Sequence, residues 1–189
     1  MITLVRHGQT PYNAVHRLQG QSDIPLSELG REQARELGER LKKENARFKA
    51  LYCSKLGRAK ETALIIGGFI GMTPTVLDGV EEINFGIFQG HTFAENAVLY
   101  PKEYEEHLKY GTDKNPHGGE TGRMVFERAR KAVLSVPDGS LIVCHGAVIG
   151  FLRSAVNGGG LSNVKEYIPG NAELIVFTDE ELEKLRQYV

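Results

Sequence analysis

Ile2-Thr3-Leu4-Val5-Arg6-His7-Gly8 and Ser140-Leu141-Ile142-Val143-Cys144-His145-Gly146 are the two stretches that decide the fold. Each is a short apolar run that stops at a histidine followed by glycine. Unbroken apolar runs of this length read as strands buried on both faces, the kind that build parallel sheets. Ligands of such sheets sit beyond the carboxyl ends of the strands. Two histidines at two strand ends can therefore face each other across one site.

Working outward, Ala50–Cys53 is a further short strand, Thr75–Leu77 a weaker one, and Glu173–Phe177 a last one. Between them lie helical patterns. Ser27–Glu44 is amphipathic, with Leu29, Ala34, Leu37 and Leu41 assigned to one face. Arg58–Ile70 and Ala147–Val156 follow strands, and Thr121–Ser135 turns Val125, Phe126, Ala129 and Val133 inward. Thr92–Lys109 is helical but broken at Pro101. Gly79–Gly90 and Asn115–Gly122 read as loops, and the charged tail Asp179–Val189 receives no assignment. Strands alternating with helices predict an α/β fold with a mostly parallel sheet.

Composition narrows the function. The chain has 189 residues, with 23 Lys+Arg against 24 Asp+Glu and a net charge of −1. One domain over residues 1–189 is the default at this length. The balanced charge, without a basic block, argues against nucleic acid or an anionic membrane as partner. No apolar stretch approaches the roughly 20 residues of a membrane span. Arg6 interrupts any signal-peptide core at the N-terminus. Cys53 and Cys144 form no framework, which fits a reducing compartment and a cytoplasmic expectation. The features carry no sign of an oligomeric state.

Spacing excludes several chemistries. There is no Gly-Lys dipeptide and hence no P-loop, no Gly-x-Gly-x-x-Gly and no Gly-x-Ser-x-Gly. The six histidines show no His-x-His or His-x-x-x-His pair, and no Asp-x-Asp occurs, so a metal site is unsupported. Cys53 and Arg58 are separated by four residues, one fewer than a cysteine phosphatase loop needs. Cys144 and His145 are consecutive and point to opposite faces of a strand. Both cysteines read as small buried hydrophobes.

Four pieces remain. Arg6-His7-Gly8-Gln9-Thr10-Pro11-Tyr12-Asn13 joins an imidazole at a strand end to the donors Arg6, Thr10 and Asn13, with Gly8 expected to leave room for a ligand. Arg58 stands at a strand-to-helix junction, where a guanidinium and a helix N-terminus together attract an anion. Glu81-Glu82-Ile83-Asn84-Phe85-Gly86-Ile87-Phe88-Gln89-Gly90 holds carboxyl groups among apolar neighbours, a setting for a general acid. His145-Gly146 is the fourth.

In this order the pieces resemble the histidine phosphatase superfamily, the phosphoglycerate-mutase-like family. Arg17-Leu18-Gln19-Gly20, Asp23-Ile24-Pro25-Leu26, Gly118-Gly119-Glu120 and Asn171 extend the resemblance over about residues 3 to 171. It implies a three-layer α/β/α sandwich with a mostly parallel central sheet. It implies His7 as the nucleophile, with Arg6, Arg58 and His145 holding the phosphoryl group and Asn13 assisting. Glu82, three residues before Phe85, is the implied proton donor in preference to Glu81. Gly8, Gln9, Thr10, Gln19, Gly20 and Gly146 are implied to bind phosphate or substrate. No metal or cofactor is implied, because arginines and His145 neutralise the charge. The family often has Trp-Glu-Gly where Phe88-Gln89-Gly90 stands, and Ser-Asp-Leu where Ser54-Lys55-Leu56 stands. Both departures bear on substrate preference.

The expected function is therefore hydrolysis of a small phosphomonoester through phosphohistidine. The alternatives are a phosphoglycerate mutase, whose family members are longer, and a non-catalytic phospholigand-binding module. Thr92–Asn115 is the expected lid, with Phe93, Tyr100, Tyr104 and Tyr110 available to a leaving group and at least half of them expected in ordinary packing.

Overall fold

In a computed structural model, which describes residues 1–161 and 163–188, the five strands are β1 (Ile2–Arg6), β2 (Ala50–Cys53), β3 (Thr75–Val76), β4 (Ser140–Cys144) and β5 (Leu174–Phe177). They form one sheet in the order β3-β2-β4-β1-β5. The pairs β1/β4, β2/β4 and β2/β3 are parallel, and β1/β5 is antiparallel. The helices are α1 (Pro11–Ala14), α2 (Glu28–Lys43), α3 (Gly57–Ile70), α4 (Phe93–Leu99), α5 (Pro101–Tyr110), α6 (Gly122–Ser135), α7 (Gly146–Val156) and α8 (Asp179–Gln187).

The period-two alternation of the central strands divides the core between the two faces of the sheet. Leu4, Ile142 and Cys144 pack with Val125, Phe126, Ala129 and Val133 of α6, with Val148 and Leu152 of α7, and with Leu182 and Leu185 of α8. Val5, Leu51, Leu141 and Val143 pack on the other face with Leu37 and Leu41 of α2 and Ala59, Ala63 and Ile66 of α3. Helices thus cover both faces, giving the three-layer α/β/α sandwich.

The β1/β4 register positions the site. Leu4 pairs with Ile142, Val5 with Val143 and Arg6 with Cys144, and the His7 N–H donates to the Cys144 carbonyl at 3.0 Å. His7 and His145 therefore leave adjacent strands at the same level.

Several expectations are corrected. Leu29 is 49% exposed, because the buried stripe of α2 runs through Gly30, Ala34, Leu37, Gly38 and Leu41, one position further round the helix. The 3₁₀ turn Gly86–Phe88 lies where loop alone was expected, and α1 forms where no element was assigned. The tail is helical as α8: the Thr178 hydroxyl accepts from the Glu181 N–H at 3.2 Å, and the Glu181 carboxylate accepts from the Thr178 N–H at 2.9 Å. This capping box precedes Leu182 and Leu185, whose burial anchors the helix. Val189 lies outside the described residues.

Gly8 does not make room for a ligand. A Cβ there would lie 2.2 Å from the Gly30 carbonyl oxygen, and one on Gly30 would lie 2.0 Å from that of Gln9. The two glycines let the turn after β1 seat directly on α2. The Ser27 hydroxyl, which caps α2 at Gly30, donates to the Gln9 carbonyl at 3.1 Å and ties the same turn down.

Gly30→Ala is expected to cost about 1–3 kcal/mol of stability, since backbone and not a flexible side chain must yield. Gly68→Ala, in α3 with nothing within 4 Å of the added Cβ, is expected to gain about 0.5–1 kcal/mol from helix propensity. Urea unfolding of the two variants beside the parent measures both.

Candidate active site

His7 is almost fully buried, and its two ring nitrogens have partners of opposite kind. Nδ1 lies 2.7 Å from the Gly8 carbonyl, which only accepts, so Nδ1 carries the proton. Nε2 lies 3.2 Å from Arg58 Nε–H, which only donates, so Nε2 presents its lone pair. Burial first, and the positive Arg58 second, hold His7 well below the ordinary imidazole range. The imidazole is neutral at pH 7 with Nε2 unprotonated.

Arg58, on the first turn of α3, is wholly buried. Its other nitrogens donate to the carbonyls of Ser22 at 2.8 Å and Gly20 at 2.7 Å. Arg6 donates to the Pro169 carbonyl at 2.6 Å, while its buried Nε has no protein acceptor. Burial lowers the pKa of both guanidinium groups, offset in part by the Glu82 carboxylate.

His145 occupies the position just before α7, with its ring centroid 5.1 Å from that of His7. Its Nε2 lies 2.9 Å from Ser54 Oγ, which also accepts the Leu56 N–H at 3.3 Å. The serine hydroxyl can act towards Nε2 as donor or as acceptor, and the buried Nδ1 has no protein partner. Burial and Arg58 keep His145 neutral as well.

The two glutamates separate cleanly. Glu82 lines the cavity beside His7, accepting from the Ile83 N–H at 3.0 Å and the Ala147 N–H at 3.4 Å. Glu81 turns away and is buried against Lys55 at 3.2 Å and Arg128 at 3.6 Å. The loop that presents them is fastened by Arg128 on α6. Its guanidinium donates to the carbonyls of Gly79, Glu81 and Glu82 at 2.9, 2.6 and 3.0 Å and forks onto Glu120 at 2.8 and 2.9 Å. The Glu120 carboxylate in turn accepts from the Asn84 N–H at 2.9 Å.

A cavity of about 170 Å³ is lined by Arg6, His7, Asn13, Gln19, Gly20, Glu82 and Gly146, among others. Arg58 and His145 are not among the lining residues but adjoin His7, the first through Nε2 at 3.2 Å and the second with ring centroids 5.1 Å apart. Asn13 spends its Oδ1 on Thr10 and Asn171, leaving its amide NH₂ for the cavity. Two expected rim residues lie elsewhere. Thr10 is fully buried, with its hydroxyl 2.8 Å from Gln19 Oε1, and Gln9 bonds to Ser27 and Gln33. Both brace the turn.

Leu18, Phe85, Ala147 and Ile168 also belong to the wall of a second, larger cavity of about 530 Å³. Phe93 of α4 and His107 and Leu108 of α5 help to enclose it. Of the four aromatics considered for a leaving group, Phe93 alone lines it; Tyr100 and Tyr104 pack on Phe88, and Tyr110 carries Lys114 over its ring.

The family model for the histidine phosphatase superfamily, branch 1, matches residues 2–185. The chain belongs to that superfamily. It is 35% identical to phosphoglycerate mutase-like protein 4 of Arabidopsis thaliana over 155 residues, 78% of this chain and 67% of the relative. Among solved structures it superposes on a mycobacterial glucosyl-3-phosphoglycerate phosphatase with a TM-score of 0.77 at 32% identity, covering 92% of this chain and 87% of that one. Phosphoserine phosphatase from Entamoeba histolytica, in complex with 3-phosphoglyceric acid, gives 0.78 at 26%, covering 92% and 87%. Both phosphatases and a mutase-like protein thus stand among the relatives of this superfamily member. No helix of the described residues is long and apolar enough to cross a membrane.

Buried neutral histidines make stability depend on pH. His7 and His145 are held well below 6.5, His107 is lowered, and His117 is lowered to about 4, burial being the first cause in each. Below pH 6.5 the unfolded chain binds protons that the folded chain refuses, so stability is lost as pH falls. The urea midpoint is expected to drop between pH 7 and pH 5, and a flat or rising midpoint would contradict the assignment of neutral histidines.

Proposed function

We propose that this superfamily member is a metal-independent phosphomonoester hydrolase that works through a phosphohistidine on His7. The observation that carries the reading is the lone pair of His7 Nε2, fixed by the Gly8 carbonyl on Nδ1, in a cavity that Arg6 also lines with its Nε free of any protein acceptor.

The chemistry follows from those positions. Nε2 attacks phosphorus in line, an N–P bond forms, and the P–O bond to the leaving group breaks. Arg6, Arg58, His145 and the Asn13 amide offset charge on the equatorial oxygens. Arg58 Nε–H moves its hydrogen bond from Nε2 to a phosphoryl oxygen as the N–P bond forms. Glu82, protonated, gives its proton to the departing oxygen. Its carboxylate then takes a proton from water, whose oxygen attacks phosphorus as the N–P bond breaks, releasing phosphate and restoring His7. Positive groups of the chain itself supply the charge stabilisation, which supports the metal-independent reading. The α4–α5 segment serves as the lid.

The Arabidopsis relative's name favours a mutase as second reading. A mutase must also grip the carboxylate and second phosphate of its substrate. Arg17, the further arginine lining the smaller cavity, is already bidentate on Glu95 at 2.7 and 2.8 Å and bonded to the Gly90 carbonyl at 2.6 Å. This supports hydrolysis over transfer.

Turnover of p-nitrophenyl phosphate with excess EDTA is expected to persist and to continue below pH 6, since burial keeps His7 neutral there. His7→Ala is expected to lose at least about a thousandfold in kcat, and wild type quenched in alkaline denaturant to retain protein-bound phosphate that acid then releases. Absence of turnover by folded wild type would sink the reading.

Glu82→Gln separates the proton donor from the nucleophile. An alkyl phosphate should lose about a hundredfold or more, while the p-nitrophenyl ester, whose leaving group departs without a proton, should lose far less in the phosphorylation step. Burst kinetics distinguish that step from the later hydrolysis. Arg128→Lys keeps the charge but loses the fork, and is expected to lower kcat about tenfold by loosening the Glu82 loop.

A further inference from the structure

We propose that the larger cavity is a leaving-group site for an uncharged, apolar, ring-sized group, and that it selects against substrates carrying a carboxylate beside the phosphate. This deepens the hydrolase reading and rests on it for the orientation of the phosphate towards His7.

The walls argue for it. Phe93, Leu108, Phe151, Val164 and Ile168 present apolar surface around about 530 Å³, a volume that falls in the usual range for organic ligands. His107 stacks on Phe93 with ring centroids 5.5 Å apart, and burial keeps that imidazole neutral. Phe93 therefore has a polarisable partner already in place, and an incoming ring extends the stack.

The charges argue for it from the other side. Among the described residues lining this cavity, Lys165 and Glu166 are the only charged ones, and their opposite signs leave the lining without net charge. Lys165 Nζ sits 5.8 Å from the centre of the Phe93 ring. Nearer His7, Arg58 is committed to two carbonyls and Arg17 to Glu95 and Gly90. Arg6 and the Nε–H of Arg58 are then left for the phosphoryl group. A carboxylate on the leaving group would have to give up its water with no guanidinium to receive it and only the Lys165 ammonium, beside Glu166, as counter-charge, which is costly.

Two phosphonates that cannot be hydrolysed test this by calorimetry on the full chain: 1-naphthylmethylphosphonate and phosphonoacetate. The aryl compound is expected to bind at least about tenfold tighter. Phe93→Ala and, separately, Leu108→Lys should each shrink that ratio several-fold. Leu108 is 68% exposed on α5, so a lysine there folds even if the Phe93 variant does not. Equal binding, tighter binding of phosphonoacetate, or a ratio indifferent to both substitutions overturns the proposal.

Turnover of 1-naphthyl phosphate and 3-phosphoglycerate, measured in parallel, keeps the two readings apart. An aryl preference in binding with neither ester hydrolysed would remove the hydrolase reading and leave the pocket assignment. Faster hydrolysis of 3-phosphoglycerate would do the reverse.

Discussion

The wholly buried guanidinium of Arg58 is the constraint around which the site is arranged. A cation removed from water must be met by acceptors on every side, or its burial is prohibitive. Here the acceptors are the carbonyls of Gly20 and Ser22 and the lone pair of His7 Nε2, with Glu82 and Asp23 contributing attraction at longer range. Meeting them dictates the course of the chain between α1 and α2. Gly20 takes a positive φ of 51°, and the Gln89 side chain fills the place where its Cβ would stand while accepting from the Gln21 N–H at 2.8 Å. The Asp23 carboxylate accepts from the Gly57 N–H at the start of α3 at 2.8 Å. One buried charge thus fixes the loop, the helix start and the tautomer of the neighbouring histidine.

The same arrangement explains why His7 and His145 remain neutral at a site built to attract an anion. Positive charge is concentrated on groups that keep it when buried, since arginine stays protonated even with its pKa lowered. The imidazoles, desolvated and beside those arginines, give theirs up. His7 thereby keeps a lone pair on Nε2. Had His7 been exposed, it would take up a proton near pH 6.5 and lose the electron pair that makes it reactive.

Much of this was legible in the sequence, and the parts that were not share a cause. β1, β2 and β4 are announced by apolar runs, and the repeated His-Gly ending located the two strand ends whose register brings the rings within 5.1 Å. The order of Arg6, His7, Arg58, Glu82 and His145 carried the family. The direction of β5 was not legible, because a four-residue apolar run pairs equally well either way until its neighbours are known. The tail α8 had a signal in Thr178 and Glu181 that marks a helix start, but its charged composition concealed the two leucines that matter. Arg128 escaped altogether. A lone arginine on an amphipathic helix looks like solvated surface, and only the fold shows three carbonyls and Glu120 converging on it. Thr10 and Gly8 were read as ligand-facing, whereas their surroundings spend them on the turn and on α2.

Under the proposed function the two cavities divide the work in a way that their elements make physically reasonable. The phosphoryl side is built at the carboxyl edge of the sheet, where parallel pairing, buried cations and backbone carbonyls leave little freedom. The leaving-group side is built from α4, α5 and the turn at Val164–Tyr167, where Val98, Leu99 and Leu108 remain exposed and backbone order depends on short helices. Short helices draw most of their stability from packing rather than from their own hydrogen bonds, so substitutions there reshape a wall without disturbing the charge cluster. The departures from the family pattern fit this division. Gln89 sits where the resemblance leads one to expect glutamate, and Lys55 where it leads one to expect aspartate. Lys55 now pairs with Glu81 and Gln89 now supports Gly20, so both act on the loops that frame the cavities and neither touches His7. If the proposed function holds, the charge cluster sets the reaction and the α4–α5 wall, where Leu108 is exposed, is where substrate preference can change.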